Sequence, residues 1–258
     1  MAWRPSKALR NAMLESGDFK HSMSNCVLKW YTGAQPATPE TAPSGSLLVT
    51  LSNASGALTR EVLSVGSVDL TGGGAGSVDT ITVNGIEIMG SSTPFNTSLA
   101  QTAADVAFKI NNNPRNLLFT SFVTATDVIN IQGKPGLGAL PNAWVVASTV
   151  TTITKTDSNM AGGVYAVNGL NWGDSAVNVI TKLSTQTWSG VAGASGSAGY
   201  FRFEAAVSDA GGTDSAEAIL RVDGTIATSG AEINMGSVTI TSGLTYTLDT
   251  FTVTLPSA

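Results

Sequence analysis

The sequence predicts a mainly β protein: a split antiparallel β-sandwich of jelly-roll-like type, with an inserted small α+β domain and a short N-terminal helix. Three observations predict it. Charged residues make up only 12% of the 258-residue chain, roughly half the usual fraction. Gly, Ser, Thr, Ala and Val dominate instead, which is a β-sheet texture and not the high-charge signature of disorder. Second, short stretches of strand character recur between Gly, Pro and Asn turn signals on both sides of a segment that carries the best helix in the chain. Third, the strands before residue 64 are too few to bury a core of their own. Residues 1–63 and 164–258 are therefore expected to build one β-module together, with 64–163 inserted. Three consecutive domains are the alternative.

The N-terminal stretch Ser6–Ser16 places Ala8, Leu9, Ala12 and Met13, with Leu14 at the margin, on one helical stripe, with Pro5 and Ser6 as a start and Gly17 as a stop. Residues 1–30 hold Arg4, Lys7, Arg10, Lys20 and Lys29 against Glu15 and Asp18, whereas the whole chain carries −5. A basic end of this kind suits an acidic partner patch or nucleic acid. A solvated amphipathic helix is the plainer reading, and nucleic acid is not an expected partner. Arg4, Lys7 and Arg10 are accordingly candidate interface residues. Cys26 is the only cysteine, so no disulfide or cysteine-based metal site is expected, and it reads as a small buried hydrophobe. No apolar run approaches membrane-spanning length and no secretory signal is expected.

Cys26–Tyr31 and Ser46–Thr50 read as strands, separated by Thr32–Gly45, whose Pro36, Pro39 and Pro43 predict an extended surface loop. A strand over Leu58–Val65 follows. Thr71–Gly76 (TGGGAG) reads as a flexible turn or linker. Within the insertion, Asp79–Met89 carries the Asn84–Gly85 hairpin signal. Ser98–Asn111 is a helix with a capping box from Ser98 and Gln101 and an apolar face of Leu99, Ala103, Val106, Ala107 and Ile110. Strands are expected over Leu117–Thr124, Asp127–Gln132 and Ala143–Ile153. After the small-residue hinge Ala161–Gly163, strands are expected over Tyr165–Asn168, Ala176–Leu183, Thr187–Val191, Tyr200–Val207, Ala216–Val222, Val238–Thr241 and Thr245–Leu255. The last has a phase shift near Thr250 that suggests a bulge.

Gln186–Glu204 (QTWSGVAGASGSAGYFRFE) is the packing centre of this scheme. Small residues between aromatic anchors suit close backbone approach, and Trp188, Phe201, Phe203 and Trp172 are the expected core. In an alternating strand Phe201 and Phe203 share one face and Tyr200 and Arg202 the other. That makes Tyr200 and Arg202 candidate interface residues on the outer face, where Arg202 stacks on an aromatic, pairs with an acid, or is a simple surface cation.

Chemistry finds little purchase. Neither TGGGAG nor Gly133–Gly138 (GKPGLG) reads as a phosphate cradle: no GK[ST] or helix follows the first, which reads as a linker, and the second reads as a hairpin loop between strands. Ser189 and Ser195 have His21 as their sole possible imidazole, a poor basis for a Ser–His–acid hydrolase. Asp209–Asp214 lacks the acid density of a calcium loop, and Asp223–Gly224 reads as a tight hairpin turn. No catalytic, metal-binding or cofactor-binding residue is expected, and no enzyme. A host-surface carbohydrate module is a second reading, if two or more of Trp30, Trp144, Trp172 and Trp188 are exposed as stacking platforms.

Two blocks carry a family resemblance: LRNAML…VLKWYTGAQPATPETAPSGSLLVTL near the N-terminus, and GLNWG…TWSGVAGASGSAGYFRFE…ILRVDGTIATSGAEINM…FTVTLP in the C-terminal part. They resemble a family of tailed-bacteriophage virion structural proteins in which the two blocks lie close together. The intervening SVDTITVNGIEIM…TSLAQTAADVAFKINN is similar to a small module recurring in other phage structural proteins. The resemblance implies a subunit assembled in many copies at the tail or neck, with capsid decoration as the rival placement. It implies partners among other virion proteins and copies of itself, no small-molecule substrate, and residence in the virion after synthesis in the host cytoplasm.

Overall fold

A computed structural model describes residues 3–15 and 18–254. The protein is mainly β, 43% strand and 10% helix, built from several antiparallel sheets in a sandwich-like arrangement. It divides into two compact units: one from the chain up to Arg60 and from Ala166 onward, the other Glu61–Tyr165.

The first unit opens with β1 (Arg4–Pro5), α1 (Lys7–Glu15), α2 (Phe19–Ser22), β2 (Val27–Thr32) and β3 (Leu47–Asn53). Ser6 starts α1, its Oγ accepting Leu9 N–H at 3.2 Å, and Leu9 is fully buried while Leu14 is exposed. The expected helix end at Ser16 and Gly17 lies outside the described residues. Cys26 forms an isolated bridge with Leu170 ahead of β2 and is buried. Burial pushes its thiol up to about 12, which suits a packing residue and not a nucleophile.

The second unit comprises β4 (Val65–Gly72), β5 (Ser77–Val83), β6 (Ile86–Glu87), β7 (Thr93–Pro94), α3 (Leu99–Asn112), β8 (Phe119–Thr124), β9 (Val128–Gly133), β10 (Val146–Thr151) and β11 (Thr154–Ala161). One sheet runs β10-β5-β6 with β7 on β5, the other β11-β4-β9-β8. Asn84 and Gly85 both have positive φ, 50° and 79°, as a type I′ hairpin between β5 and β6 requires. Ser98 caps α3, its side chain accepting Gln101 N–H at 3.1 Å. The Gln101 amide turns to Asp105 instead, so half of the expected capping box forms. Ala103, Val106, Ala107 and Ile110 are buried, and the helix packs on β8 and β9.

In this unit one expectation is narrowed, one is corrected and one strand is added. Of the two readings of TGGGAG the turn holds: it joins β4 and β5 inside the unit. The strand expected over Leu58–Val65 begins only at Val65, and residues before it make isolated bridges. The strand expected over Ala143–Ile153 is β10, which pairs with β5, and the strand after it, β11, is not among those expected; it pairs with β4 in the other sheet. There the alternation of Thr, Lys, Asp and Ser gives no apolar signal, because β11 is held by its β4 ladder and not by side-chain burial.

Back in the first unit come β12 (Val179–Thr181), β13 (Trp188–Val191), β14 (Gly196–Glu204), β15 (Arg221–Ala227), β16 (Ile233–Asn234), β17 (Thr239–Ile240), β18 (Thr245–Leu248) and β19 (Thr252–Thr254). Tyr165–Asn168 is not a strand, and only Val167 of it makes a bridge. A nine-stranded sheet follows the order β1-β15-β14-β2-β3-β13-β18, with β16 on β15 and β17 on β14. The strand expected over Thr245–Leu255 breaks at Asp249–Phe251, so the phase shift marks a change of sheet and not a bulge: β18 pairs with β13, β19 with β12. Leu255 lies outside the described residues.

Trp172, Trp188, Phe201 and Phe203 all lie in the core of this unit, joined by Phe19 and Phe251. Trp172 meets Trp188 edge-on at 5.2 Å and Phe203 at 5.5 Å, and Phe201 meets Phe251 edge-on at 5.5 Å. Edge-to-face contact is the arrangement aromatic quadrupoles prefer. Deleting one such buried aromatic costs about 3–5 kcal/mol, so this cluster anchors the unit. Two glycines permit it: a Cβ on Gly190 would lie 2.1 Å from Thr50 O, and one on Gly224 would lie 2.3 Å from the Phe201 ring. The Gly224 contact explains why Asp223–Gly224 is not a hairpin turn. It sits in the middle of β15, where Phe201 of β14 covers it.

Candidate functional site: a buried ionic layer under the proline-rich loop

The alternation of β14 decides the site. With Phe201 and Phe203 directed to the aromatic core, Tyr200, Arg202 and Glu204 project from the opposite face of the sheet. Antiparallel pairing sets Arg202 opposite Asp223 and Glu204 opposite Arg221 on β15, and Lys29 and Tyr31 of β2 flank Arg202 and Tyr200. Each strand thus contributes an Arg-x-acid pair in complementary order. The expectation that Tyr200 and Arg202 lie on an outer surface is corrected: both are 0% exposed. Residues 33–45 and 205–220 supply the partners that bury this face, so Tyr200 and Arg202 cannot meet another subunit directly.

Two bidentate ion pairs form the layer. Arg202 donates from Nε and Nη2 to the two Asp223 oxygens, both at 2.7 Å. Arg221 donates from Nε and Nη2 to Asp209, both at 2.6 Å. Glu204, also fully buried, pairs with Lys29 at 2.8 Å and with Arg60. Burial works to raise the Asp209 carboxyl, but the Arg221 bonds outweigh it and hold the group below the usual carboxylate range. Burial pushes the Asp223 carboxyl up against the pull of Arg202. Desolvation is the larger force in that pair, as the charge pays for leaving water at both ends.

Further arginine donors go to main-chain carbonyls of the proline-rich loop, while Arg202 Nη1 has no partner among the described residues. Arg4 Nη1 donates to Pro36 and Ala37, each at 3.0 Å. Arg221 Nη1 donates to Pro39 at 3.0 Å, and Arg202 Nη2 to Thr41 at 3.0 Å. Glu40 is a second anchor, its carboxylate accepting Lys7 N–H at 2.7 Å and its carbonyl accepting Asp214 N–H at 2.7 Å. Proline has no N–H to give, so a segment rich in it must be fixed through its carbonyls, and guanidinium forks do that here. Pro36 and Pro39 are buried, while Ala37, Thr38 and Thr41 between and beside them are exposed. The result is a surface loop of fixed main-chain shape.

Of the remaining interface candidates, Arg4 is half-buried in this clamp, and Lys7 and Arg10 are exposed. Lys7 Nζ pairs with Glu217. Sequence reasoning missed Arg221, Asp209 and Asp223 as members of the layer. The readable signal was a charge in the middle of each of two apolar strands, YFRFE and ILRVD, at matching spacing.

The other motifs resolve as structure. The GKPGLG amides of Gly136 and Gly138 donate to the buried Glu61 carboxylate at 2.8 and 2.7 Å, so this small nest holds the protein's own anion. His21 contacts Asp18, which caps α2. Ser189 is buried against Ser55 at 2.9 Å. Asp209 and Asp214 serve Arg221 and Ile219 N–H. Among the described residues no group of three or more His, Cys, Asp and Glu side chains is placed to hold a metal ion, and no helix is long and apolar enough to cross a membrane. Trp30, Trp172 and Trp188 are 1%, 2% and 0% exposed, so they offer no stacking platform.

No family model, curated protein or solved structure matches the chain.

Proposed function

We propose that this chain is a structural subunit of a tailed-bacteriophage virion. In this reading it assembles in many copies at the tail or neck, and acts through interfaces with copies of itself and with other virion proteins, not through turnover. The observation that carries the reading is the arginine layer. Arg4, Arg202 and Arg221 hold the carbonyls of Pro36, Ala37, Pro39 and Thr41, which fixes the shape of a surface loop beside the exposed Lys7 and Arg10. A loop held in one conformation loses little entropy on binding, and that is the requirement of a repeated assembly contact. The two sequence blocks quoted above supply the virion context. Decoration of the capsid surface is the rival placement within the same class.

The test is the assembly state. Light scattering on the purified chain at micromolar concentration is expected to show a discrete oligomer, and mass spectrometry of purified particles is expected to contain it. A monomer that is absent from particles overturns the proposal. Ala34→Glu with Ala37→Glu, which places charge on two exposed loop positions and keeps the carbonyls that the arginines hold, is expected to abolish oligomers at unchanged melting temperature.

A further inference from the structure

The two margins of the nine-stranded sheet line one cleft. β18 ends the sheet on one side, and β15 carries β1 and β16 on the other. Residues 232–236, in and beside β16, and residues 247–252, from β18 onward, enclose a space of about 470 Å³. A sheet whose opposite margins line the same cleft is curled toward itself with one open seam.

One wall of the seam is an unpaired strand edge. Just before β18, Ala192 N–H donates to Leu244 O at 2.9 Å. Counted on from there, the alternation of an antiparallel ladder turns the main-chain groups of Tyr246 and Leu248 to β13 and those of Thr245 and Thr247 away from it. Both threonines are exposed, and among the described residues no hydrogen bond reaches their main chain from outside β13. Edges in the other unit are not left this way. Asn111 and Asn116 occupy the edge of β8. On β10 the Val146 and Ser148 N–H groups are taken by the side chains of Asn159 and Asp157, at 3.2 and 2.9 Å. Unpaired edges recruit other chains, and β18 carries neither a cap nor a charge nor a proline to prevent it.

The form of the cleft selects the occupant. Met235, Leu248 and Phe251 give it an apolar side. An extended peptide suits both walls, its main chain pairing with Thr245 and Thr247 and its alternate side chains meeting the apolar residues. The facing wall of residues 232–236 bars the edge of a second folded sheet, so β18 of another copy does not fit. The long loops of this unit cannot be donated by a copy either. Residues 33–45 are held by Arg4, Arg202 and Arg221, and residues 205–220 by Arg221. Asp249 stands exposed at the mouth, where a basic residue of the peptide would complement it.

We propose that this seam accepts an extended segment of a different polypeptide as an added strand, alternating apolar and polar residues and flanked by a basic one. The seam shares no residue with the proline-rich loop, so the proposal stands apart from the assembly contact assigned there.

The probe is an acetylated peptide of alternating valine and threonine with a lysine at each end, titrated into the full chain by calorimetry and amide NMR. It is expected to bind with a Kd of about 1 mM or better and to slow amide exchange at Thr245 and Thr247. The fully N-methylated peptide, which has no main-chain donors, is expected to bind at least about tenfold more weakly. Thr247→Pro removes one outward N–H, a change that edge strands tolerate. It is expected to weaken binding about tenfold while the melting temperature holds. Asp249→Lys is expected to shift preference from lysine-ended to glutamate-ended peptide. No binding at about 1 mM, equal binding of the N-methylated peptide, or unaltered binding by Thr247→Pro or Asp249→Lys each overturns the proposal. If Thr247→Pro instead dissociates oligomers of the chain itself, the occupant is a second copy and the proposal fails likewise. Should Thr247→Pro not fold, the N-methylated peptide and Asp249→Lys decide the matter.

Discussion

Arg202 and Asp223 face each other across β14 and β15 with no water-accessible surface on either side chain. Charges so buried are expensive, and their attraction offsets the desolvation only while both are present. Removing one partner must therefore cost far more than removing both. Asp223→Ala is expected to destabilise the chain by about 3–5 kcal/mol. Replacing the pair with Arg202→Met and Asp223→Leu is expected to leave global stability near the original value or above it. The difference lies in the loop: the double variant lacks the donor to Thr41 O, so amide exchange near residues 39–42 is expected to accelerate while exchange in β14 stays slow. Chemical denaturation and hydrogen exchange measure the two quantities, and a double variant as unstable as the single one would refute the offset. The sequence displayed these residues without their meaning. Alternation put Phe201 and Phe203 inward and Arg202 on the other face, which is right. It could not show that the other face is also covered, because the cover comes from residues 33–45 and 205–220, distant in sequence.

Elements were legible where a local signal had no rival. The Ser98 cap and the stripe of Ala103, Val106, Ala107 and Ile110 predict α3 to within a residue. Asn84–Gly85 predicts a turn, and both residues have the positive φ it requires. Asp223–Gly224 carries the same kind of signal and is strand interior, because the glycine there answers to the Phe201 ring and not to a turn. One device escaped sequence reading altogether. At the outer edge of β8, Asn116 exchanges hydrogen bonds with both N–H and C=O of Phe119, at 3.2 and 2.9 Å. Asn111 does the same with Ser121, at 2.7 and 2.8 Å. Two side-chain amides thus stand where a neighbouring strand would pair. Unpaired edges recruit other chains, and exposed Phe122, Leu117 and Phe108 lie on or near this edge in sequence or packing. Asn111→Ala with Asn116→Ala is expected to expose the edge and produce concentration-dependent β-aggregation, read by light scattering and thioflavin fluorescence. The buried Asn116→Ala should by itself lower stability by about 1–3 kcal/mol, through the backbone groups it leaves unpaired. A double variant that stays dispersed at high concentration would show that the amides serve stability alone.

At the scale of the whole chain, the split was legible because the strands before residue 64 could not bury a core alone, and Arg60/Glu61 and Tyr165/Ala166 divide the units within a few residues of the expected limits. The glycine run at residues 71–76 reads as a turn or a linker from composition and is an internal turn, since flexibility of composition marks a tight turn as readily as a linker. The actual junctions are marked by pairing. Thr59 and Val167 form an antiparallel bridge that closes the first unit, and Val62 and Val164 form one that closes the second. Each unit also has its own hydrophobic cluster, one around Trp188 and Phe203, the other around Ile81, Val106 and Ile129. A segment whose ends are paired to each other and whose core is its own meets the conditions for autonomous folding. Glu61–Tyr165 expressed alone is therefore expected to unfold cooperatively. The rest of the chain, with Arg60 joined to Ala166 through Asn-Gly, is expected to fold as well, because Thr59 and Val167 already sit as a hairpin pair and Asn-Gly supplies the turn. Arg60 must be kept, as it neutralises the buried Glu204. Calorimetry of the full chain should then show two transitions, each matching one piece. A single transition in the full chain, with neither piece folded alone, would mean that the units stabilise each other and that the insertion is part of one cooperative fold.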